Sequence, residues 1–229
     1  METIDVVVPS AGAGTRLGQP VPKQFCLLSG EPLIVHPLRV FRALPWVGRI
    51  IVVHGPDQKE TLAGILEDFG LVDCLTVEGG ATRQESVRRG LASVTTPKVI
   101  VHNAAVALVT SATIEQVIAI DADCVTTTTA VETNLVRGGD VAEAIVSRAG
   151  LKVINSPQCF RTAVLRDCHA RAFADGLAFA SETELMLHFG ITVRLVPGPF
   201  RNFKITTAHD LMVAEAILGS DRVVAAHPC

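Results

Sequence analysis

Short runs rich in β-branched residues alternate with longer amphipathic segments along the chain. The runs cover residues 4–8, 50–53, 75–77, 99–101 and 125–129. Continuous runs of this kind are typical of strands that are buried on both faces of a sheet. The segments between them repeat apolar residues at helical spacing and predict helices at 32–44, 58–69, 84–94 and 113–120. This alternation predicts an α/β fold with a mainly parallel sheet and helices on both faces.

The pattern changes after residue 130. Residues 132–150 are more polar and contain the turn signal Gly138-Gly139-Asp140. We expect a protruding β-arm at about residues 131–156, which is a candidate dimer contact. The earlier pattern then returns and predicts strands at 151–154, 191–196 and 203–205 and helices at 162–173, 181–189 and 209–218. No repeat or long linker divides the sequence, so we predict one domain over residues 1–229.

Composition and charge narrow the classes of partner. The 229 residues are 48% hydrophobic and carry a net charge of −3 without a run of Lys or Arg, so we expect no nucleic-acid surface. No stretch of about 18 apolar residues predicts a membrane span, and the first residues lack the pattern of a signal peptide. Six cysteines without a C-x-x-C pair indicate reduced, mostly buried thiols rather than disulfides or a zinc site. These features favour a cytoplasmic protein.

A loop of small residues with two cations follows the first predicted strand. Residues 9–14 read PSAGAG, and Arg16 and Lys23 come shortly afterwards. Small residues at this position let the backbone approach a ligand closely, and ligands bind outside the carboxyl ends of parallel strands. Backbone N–H groups of such a loop form an anion cradle, while a guanidinium and an ammonium group contact phosphate oxygens. The loop is therefore predicted to bind a phosphorylated ligand.

Three other interpretations of this loop remain open on the residues alone. A P-loop needs Lys followed by Ser or Thr after the last glycine, and the loop has no such pair. A dinucleotide fingerprint needs a third glycine where Leu17 stands, and no acidic ribose partner is evident about 20 residues further on. A tight strand–helix turn with incidental charges would bind no ligand.

The loop and four later segments resemble the signature motifs of the 2-C-methyl-D-erythritol 4-phosphate cytidylyltransferases. The family pattern P-A-A-G-x-G-x-R-x₅-P-K-Q matches residues 9–24 except at Ser10. The later segments are GGATRQESV at 79–87, SRAGL at 147–151, SPQCF at 156–160 and NFKIT at 202–206. The resemblance covers nearly the whole chain. It implies a Rossmann-like α/β domain with an inserted β-arm for dimerisation, and therefore a homodimer.

The resemblance also implies a reaction and the residues that carry it. CMP would pass from CTP to a small phosphorylated acceptor with release of pyrophosphate, and Mg²⁺ would be bound mainly through the phosphates. Because the acceptor phosphate is already ionised, positioning and cations rather than a general base would supply the catalysis.

The implied catalytic residues are Arg16, Lys23, Lys204 and, from the partner subunit, Arg148. The implied nucleotide-binding residues are Ser10, Ala11, Gly12, Gly14, Gly80, Arg83, Ser86, Asn103 and Ala104, with Asn103 also the candidate protein ligand of Mg²⁺. The acceptor side would comprise Val106, Thr133, Arg148 and Thr206.

The acceptor side departs from the family pattern. The family's H-D-A-A-R-P reads HNAAVA at 102–107, so Asn103 and Val106 stand where the family has Asp and Arg. The family's D-T-x-K loses its Lys at Leu135, and its T-D-[ED]-A reads SETE at 181–184. The loss of an arginine that binds an anionic acceptor would weaken the binding of that acceptor by about 2–5 kcal/mol.

We therefore expect an altered acceptor, either another polyol phosphate or a small phosphonate. Two alternatives of other classes remain beside a cytidylyltransferase. One is a catalytically weak nucleotide-binding protein of the same fold. The other is a nicotinamide-dependent reductase, against which Leu17 already counts because it occupies the third-glycine position.

Overall fold

Strands and helices alternate through most of the structure, a computed structural model that describes residues 2–12 and 21–226. The strands are β1 (Ile4–Pro9), β2 (Leu27–Leu28), β3 (Glu31–Pro32), β4 (Val47–His54), β5 (Leu75–Glu78), β6 (Lys98–Val101), β7 (Cys124–Ala130), β8 (Leu135–Gly138), β9 (Ala142–Val146), β10 (Lys152–Arg161) and β11 (Val193–Pro197). The helices are α1 (Val35–Arg42), α2 (Lys59–Asp68), α3 (Arg83–Leu91), α4 (Ser111–Ile118), α5 (Thr162–Ala174), α6 (Glu182–His188) and α7 (Ala208–Ala226).

Seven strands form the central sheet, in the order β11-β7-β10-β6-β1-β4-β5. The pairings of β1 with β4 and β6, of β4 with β5, and of β7 with β11 are parallel. Only β10 runs antiparallel to its neighbours in this sheet, β6 and β7. The mainly parallel sheet confirms the α/β prediction.

Helices cover both faces of the sheet because successive strand residues point to opposite sides. In β1, Val6 and Val8 pack with the residues of α1, α2 and α4, whereas Val7 packs with those of α3, α5 and α6. All three valines are fully buried. The continuous apolar runs in the sequence therefore reflect strands between two helical layers, as predicted.

A separate β-hairpin projects between β7 and β10. Strands β8 and β9 pair antiparallel, with Leu135 opposite Val146, and they form a sheet of their own. Gly138 turns the chain with φ of 151°, and a Cβ atom there would lie 2.1 Å from the carbonyl oxygen of Val141. This hairpin lies within the span predicted as an arm.

One predicted strand is wrong. Residues 203–205 were expected to form a strand, but they lie in an irregular segment. The backbone N–H of Ile205 donates to the carbonyl oxygen of Ala105 at 2.9 Å, and the segment joins no strand ladder among the described residues. Instead, Ile205 is buried and Phe203 is partly buried in a small cluster with Leu28 of β2 and residues of α7.

Free, buried thiols confirm the prediction from the cysteine pattern. The five cysteines within the described ranges, Cys26, Cys74, Cys124, Cys159 and Cys168, are all buried and unbridged. Within the same ranges, His, Cys, Asp and Glu side chains form no cluster of three suited to a metal ion. No helix in the described part of the chain has both the length and the apolar character needed to cross a bilayer.

Candidate functional site

A cleft of about 260 Å³ opens at the carboxyl ends of β1, β5 and β6. This is the edge at which open parallel sheets bind ligands. The lining residues come from four loops that are distant in sequence. They are Pro9, Ser10, Ala11, Gly12, Lys23, Gln24, Gly80, Ala81, Thr82, Arg83, Ser86, Asn103, Ala104, Ala105 and Lys204.

Most of the residues predicted to be nucleotide-binding, and two of the predicted catalytic residues, line this cleft. They are Ser10, Ala11, Gly12, Lys23, Gly80, Arg83, Ser86, Asn103, Ala104 and Lys204. Gly14 and Arg16 lie outside the described residues. The described residues of the motif at 9–24 therefore meet those of the motifs at 79–87 and 202–206 at one edge of the sheet.

The residues predicted for the acceptor side lie elsewhere. Val106 is only 1% exposed and packs in the core. Its predicted position on the acceptor side is therefore wrong, because its side chain does not line the cleft. Thr133 and Arg148 are exposed on the β8–β9 hairpin and its flanks, where Arg148 donates to the carbonyl oxygen of Glu132. Thr206 is outside the described cleft lining, and its hydroxyl donates to the carbonyl oxygen of Lys204 at 3.1 Å.

The first loop is anchored by Ser10 and by two glutamines. The hydroxyl of Ser10 donates to the carbonyl oxygen of Val53 at 2.8 Å. The amide of Gln24 donates to the carbonyl oxygen of Ser10 at 2.5 Å and to Oε1 of Gln58 at 3.1 Å. Sequence reasoning quoted Gln24 only as part of a motif and missed Gln58, which no motif marks. Both fix the loop rather than add charge to the cleft.

The second loop wraps tightly around the start of α3. The hydroxyl of Ser86 donates to the carbonyl oxygen of Thr82 at 2.9 Å and accepts the N–H of Gly80 at 3.2 Å. A Cβ atom on Gly80 would lie 2.0 Å from Cδ of Glu85, so a larger residue here would force the side chain of Glu85 to move. The hydrogen bond from Arg89 lowers the pKa of Glu85, which is therefore ionised at the start of the helix. Ser86 is thus engaged in shaping the loop.

The third loop depends on a buried neutral histidine. Burial lowers the pKa of His102 to about 4, although its hydrogen bond to the Val106 carbonyl opposes the shift. The neutral ring donates from Nε2 to that carbonyl oxygen at 2.9 Å. The N–H of Val106 donates back to the carbonyl oxygen of Asn103 at 2.9 Å. This compact turn holds Asn103 and Ala104 against the ligand space.

The fourth loop brings Lys204 to the cleft. The amide of Asn202 donates to the carbonyl oxygen of Ser156 at 2.8 Å, and Ile205 is tied to the third loop through the carbonyl oxygen of Ala105. The hydroxyl of Ser156 accepts the N–H of Asn103 at 3.1 Å. Lys204 is therefore placed by bonds made by its neighbours in the chain.

The charge of the cleft favours an anion. Lys23, Arg83 and Lys204 line it, and no carboxylate is present among the described lining residues. Lysine and arginine are the groups that hold phosphate oxygens, and a lining without carboxylates does not repel them. The arrangement can bind a polyphosphate and stabilise negative charge that grows on it.

The lining does not form a Mg²⁺ site by itself. Oδ1 of Asn103 accepts N–H groups from Nε and Nη2 of Arg83 at 3.3 and 3.2 Å. A cation bound to that oxygen would lie beside a guanidinium, and like charges at this separation repel. Mg²⁺ also prefers carboxylate and phosphate oxygens, and this lining offers no carboxylate.

Comparisons with known proteins point to one family. The model of the 2-C-methyl-D-erythritol 4-phosphate cytidylyltransferase family matches residues 4–220. A protein of that name from Salinibacter ruber is 37% identical over 218 residues, which are 93% of this chain and 91% of the relative. The crystal structure of the protein of that name from Thermus thermophilus superposes with a TM-score of 0.79 at 30% identity, covering 95% of this chain and 98% of the other.

Some relatives are much longer than this chain. The bifunctional enzyme IspD/IspF of Desulfotalea psychrophila is 36% identical over 220 residues. The aligned part is 93% of this chain and only 56% of that relative. The chain therefore spans little more than half the length of the bifunctional relatives that it matches.

Proposed function

Because the chain belongs to the 2-C-methyl-D-erythritol 4-phosphate cytidylyltransferase family, we propose that it transfers CMP from CTP to 2-C-methyl-D-erythritol 4-phosphate. Pyrophosphate would be the second product. The observation that carries this proposal is the cationic cleft at the carboxyl edge of the sheet, whose described lining has no carboxylate. The same family membership argues against a nicotinamide-dependent reductase.

The proposed reaction is an in-line displacement at the α-phosphorus of CTP. An oxygen of the acceptor phosphate forms the new P–O bond, and the bond to the bridging oxygen of the β-phosphate breaks. No general base is needed, because the attacking phosphate is already ionised at neutral pH. Lys23 and Arg16 would neutralise the triphosphate, and Lys204 would act at the α-phosphate. We further propose that Mg²⁺ arrives as the CTP complex, where it supplies charge neutralisation.

The acceptor is proposed from family membership. The departures from the family pattern at Asn103 and Val106 do not change that proposal. An altered acceptor was our expectation from Asn103 and Val106, but the relatives named above are all named for methylerythritol phosphate or for IspD. Val106 is buried, so the missing arginine would have to be replaced by a group from another element. We propose that Arg148 and Thr133, on the hairpin, contact the acceptor from the partner subunit.

A homodimer built through the hairpin is part of this proposal. Apolar side chains on the hairpin face solvent, with Val136 57%, Val141 76% and Ile145 75% exposed. Such a concentration of exposed apolar residues on a two-stranded arm is typical of a surface that another chain covers. The arm would carry Arg148 to the cleft of the partner.

The cytoplasm is the proposed location. Five free, buried cysteines support it, because thiols persist unpaired in a reducing compartment. If the periplasmic fraction of the native bacterium contained as much activity as its cytoplasmic fraction, this location would be contradicted.

Pyrophosphate release tests the proposed activity. We would supply CTP and Mg²⁺ with methylerythritol phosphate, ribitol phosphate, glycerol phosphate or a small phosphonate, and we expect the highest kcat/KM with methylerythritol phosphate. Lys23→Ala should lower kcat/KM by roughly 10²–10³-fold, because a charge-stabilising group is lost. Lys59→Ala, at an exposed lysine of α2 outside the cleft, is the matched control.

The other outcomes of this assay are equally informative. A higher rate with another acceptor would restore the altered-acceptor interpretation. CTP binding without turnover on any acceptor would favour the catalytically weak nucleotide-binding protein.

A further inference from the structure

A buried carboxylate lies next to the cleft and forms an ion pair with one arginine of its lining. Glu182 is the first residue of α6, and its side chain is only 1% exposed. Its Oε1 accepts a hydrogen bond from Nη1 of Arg83 at 2.7 Å. Glu182 does not belong to the described lining of the cleft, whereas Arg83 does. A buried charge is costly unless it is paired, so this ion pair fixes where the guanidinium lies.

The same guanidinium also holds a residue of the third loop. Nε and Nη2 of Arg83 both donate to Oδ1 of Asn103, at 3.3 and 3.2 Å. The carbonyl side of the Asn103 amide therefore faces Arg83. Because the amide is planar, its amino group points away from the guanidinium, and Asn103 itself lines the cleft.

We propose that Glu182 is a positioning residue of the nucleotide site, which acts through Arg83 on the orientation of Asn103. This inference rests on the proposed function, because it concerns how the same cleft receives CTP. Glu182 itself touches no ligand. It is the ion-pair partner of Arg83, and the sequence separates the two by 99 residues.

Positioning and plain electrostatics predict opposite effects on CTP binding. Replacing Glu182 with glutamine removes a negative charge near the cleft, so an electrostatic role predicts tighter binding of the anionic nucleotide. A positioning role predicts weaker binding, because the neutral amide holds the guanidinium less firmly and both Arg83 and Asn103 then sample other rotamers. The sign of the change in affinity therefore separates the two roles.

Calorimetric titration with Mg²⁺–CTP is the test. We expect Glu182→Gln to raise the Kd for CTP about tenfold and to change the KM for CTP more than kcat. Glu182→Asp, which keeps the carboxylate, should recover part of the affinity. Glu184→Gln is the matched control, because Glu184 is an exposed residue of the same helix and should leave the Kd unchanged.

A double-mutant cycle probes the connection to Asn103. If Glu182 acts through Asn103, then Glu182→Gln should cost clearly less affinity when Asn103→Ala is already present. Fully additive effects, unchanged affinity or tighter binding in Glu182→Gln would each overturn the proposal.

A spectroscopic readout keeps this test apart from the proposed activity. The side-chain amide signals of Asn103 can be assigned in ¹⁵N NMR by their loss in Asn103→Ala. We expect them to shift and broaden in Glu182→Gln and to stay in place in Glu184→Gln, with or without nucleotide. Failure of the wild-type protein to bind CTP would refute the proposed function, whereas unmoved amide signals in Glu182→Gln would refute the positioning role.

Discussion

Two buried histidines should make the fold sensitive to mild acid. His102 and His169 are 0% and 1% exposed, and burial lowers the pKa of each to about 4 from an ordinary value of 6.5. At His169 the charge of Glu182 opposes the shift, and those of Arg83 and Arg88 add to it. Both ring nitrogens of His169 and Nδ1 of His102 have no hydrogen-bond partner among the described residues. Both rings are thus built into the fold as neutral groups.

The sign of the effect follows from where protons bind. Both folded-state pKa values lie below the unfolded value of 6.5. Between pH 6.5 and about 4, the unfolded chain therefore binds protons that the folded chain excludes, and the free energy of unfolding falls as the pH falls. At 1.36 kcal/mol per pKa unit, lowering the pH from about 7 to about 5 costs roughly 2 kcal/mol for each histidine and roughly 4 kcal/mol for both.

Carboxylates act in a lower pH range and do not obscure this effect. The pKa of Asp121 is lowered mainly by its hydrogen bond from Lys98, and that of Asp221 mainly by its hydrogen bond from Arg201. Groups of this kind contribute stability above their unfolded pKa, near 4, and lose it only as the pH falls through the folded value. The interval between about pH 5 and 6.5 therefore reports on the histidines.

Urea unfolding followed by circular dichroism across this interval measures the slope of stability against pH. We expect His169→Gln to reduce that slope by about half, because a neutral amide does not titrate and one of the two histidines remains. His209→Gln, at an exposed position on α7, controls for the substitution itself. A slope in His169→Gln equal to that of the wild-type protein would refute the reasoning.

Three further substitutions test the fold, the cleft and the arm. Asp5, 1% exposed, accepts three hydrogen bonds, so Asp5→Ala should cost about 2–4 kcal/mol in urea unfolding because the N–H groups of Arg49 and Thr95 and the hydroxyl of Thr95 lose their acceptor. Gly80→Ala should raise the Kd for CTP about tenfold while changing the melting temperature little, since its Cβ would displace the Glu85 side chain, which accepts the N–H of Ala81 in the cleft lining; an unchanged Kd would contradict this effect on the loop. Ile145→Glu should shift the protein from dimer to monomer in analytical ultracentrifugation and lower kcat/KM, because it places a charge on the exposed apolar arm; a wild-type protein that sediments as a monomer would refute the dimer.

The fold was predictable from sequence where periodicity is local, and less so where a segment is held by single long-range bonds. The run at 4–8 is continuous because β1 lies between two helical layers, and that reason is contained in the sequence itself. The segment at 203–205 has strand-like residues, but its position depends on a bond from Ile205 to Ala105, a hundred residues away. Periodicity carries no information about such a contact.

The same distinction applies to the cleft. Motifs indicated Lys23, Arg83 and Lys204 because resemblance marks residues by type and spacing. Gln58 and Glu182 were missed as functional residues, since each acts on a partner from a different part of the chain. The motif position of Val106 suggested a contact with the acceptor, but its side chain is buried in the core.

The placement of Glu182 accounts for how the cleft can be both ordered and attractive to an anion. A carboxylate in the lining would fix Arg83 equally well, but it would face the phosphates directly and repel them. Glu182 instead bonds Nη1 of Arg83 from behind at 2.7 Å, so Nε and Nη2 stay engaged with Asn103 on the side of the cleft. The first and third loops are held in a similar way, by the buried polar groups of Gln24 and His102, which add no negative charge to the cleft. Order in this site thus comes from bonds beneath the surface, and the described lining keeps only neutral and cationic groups.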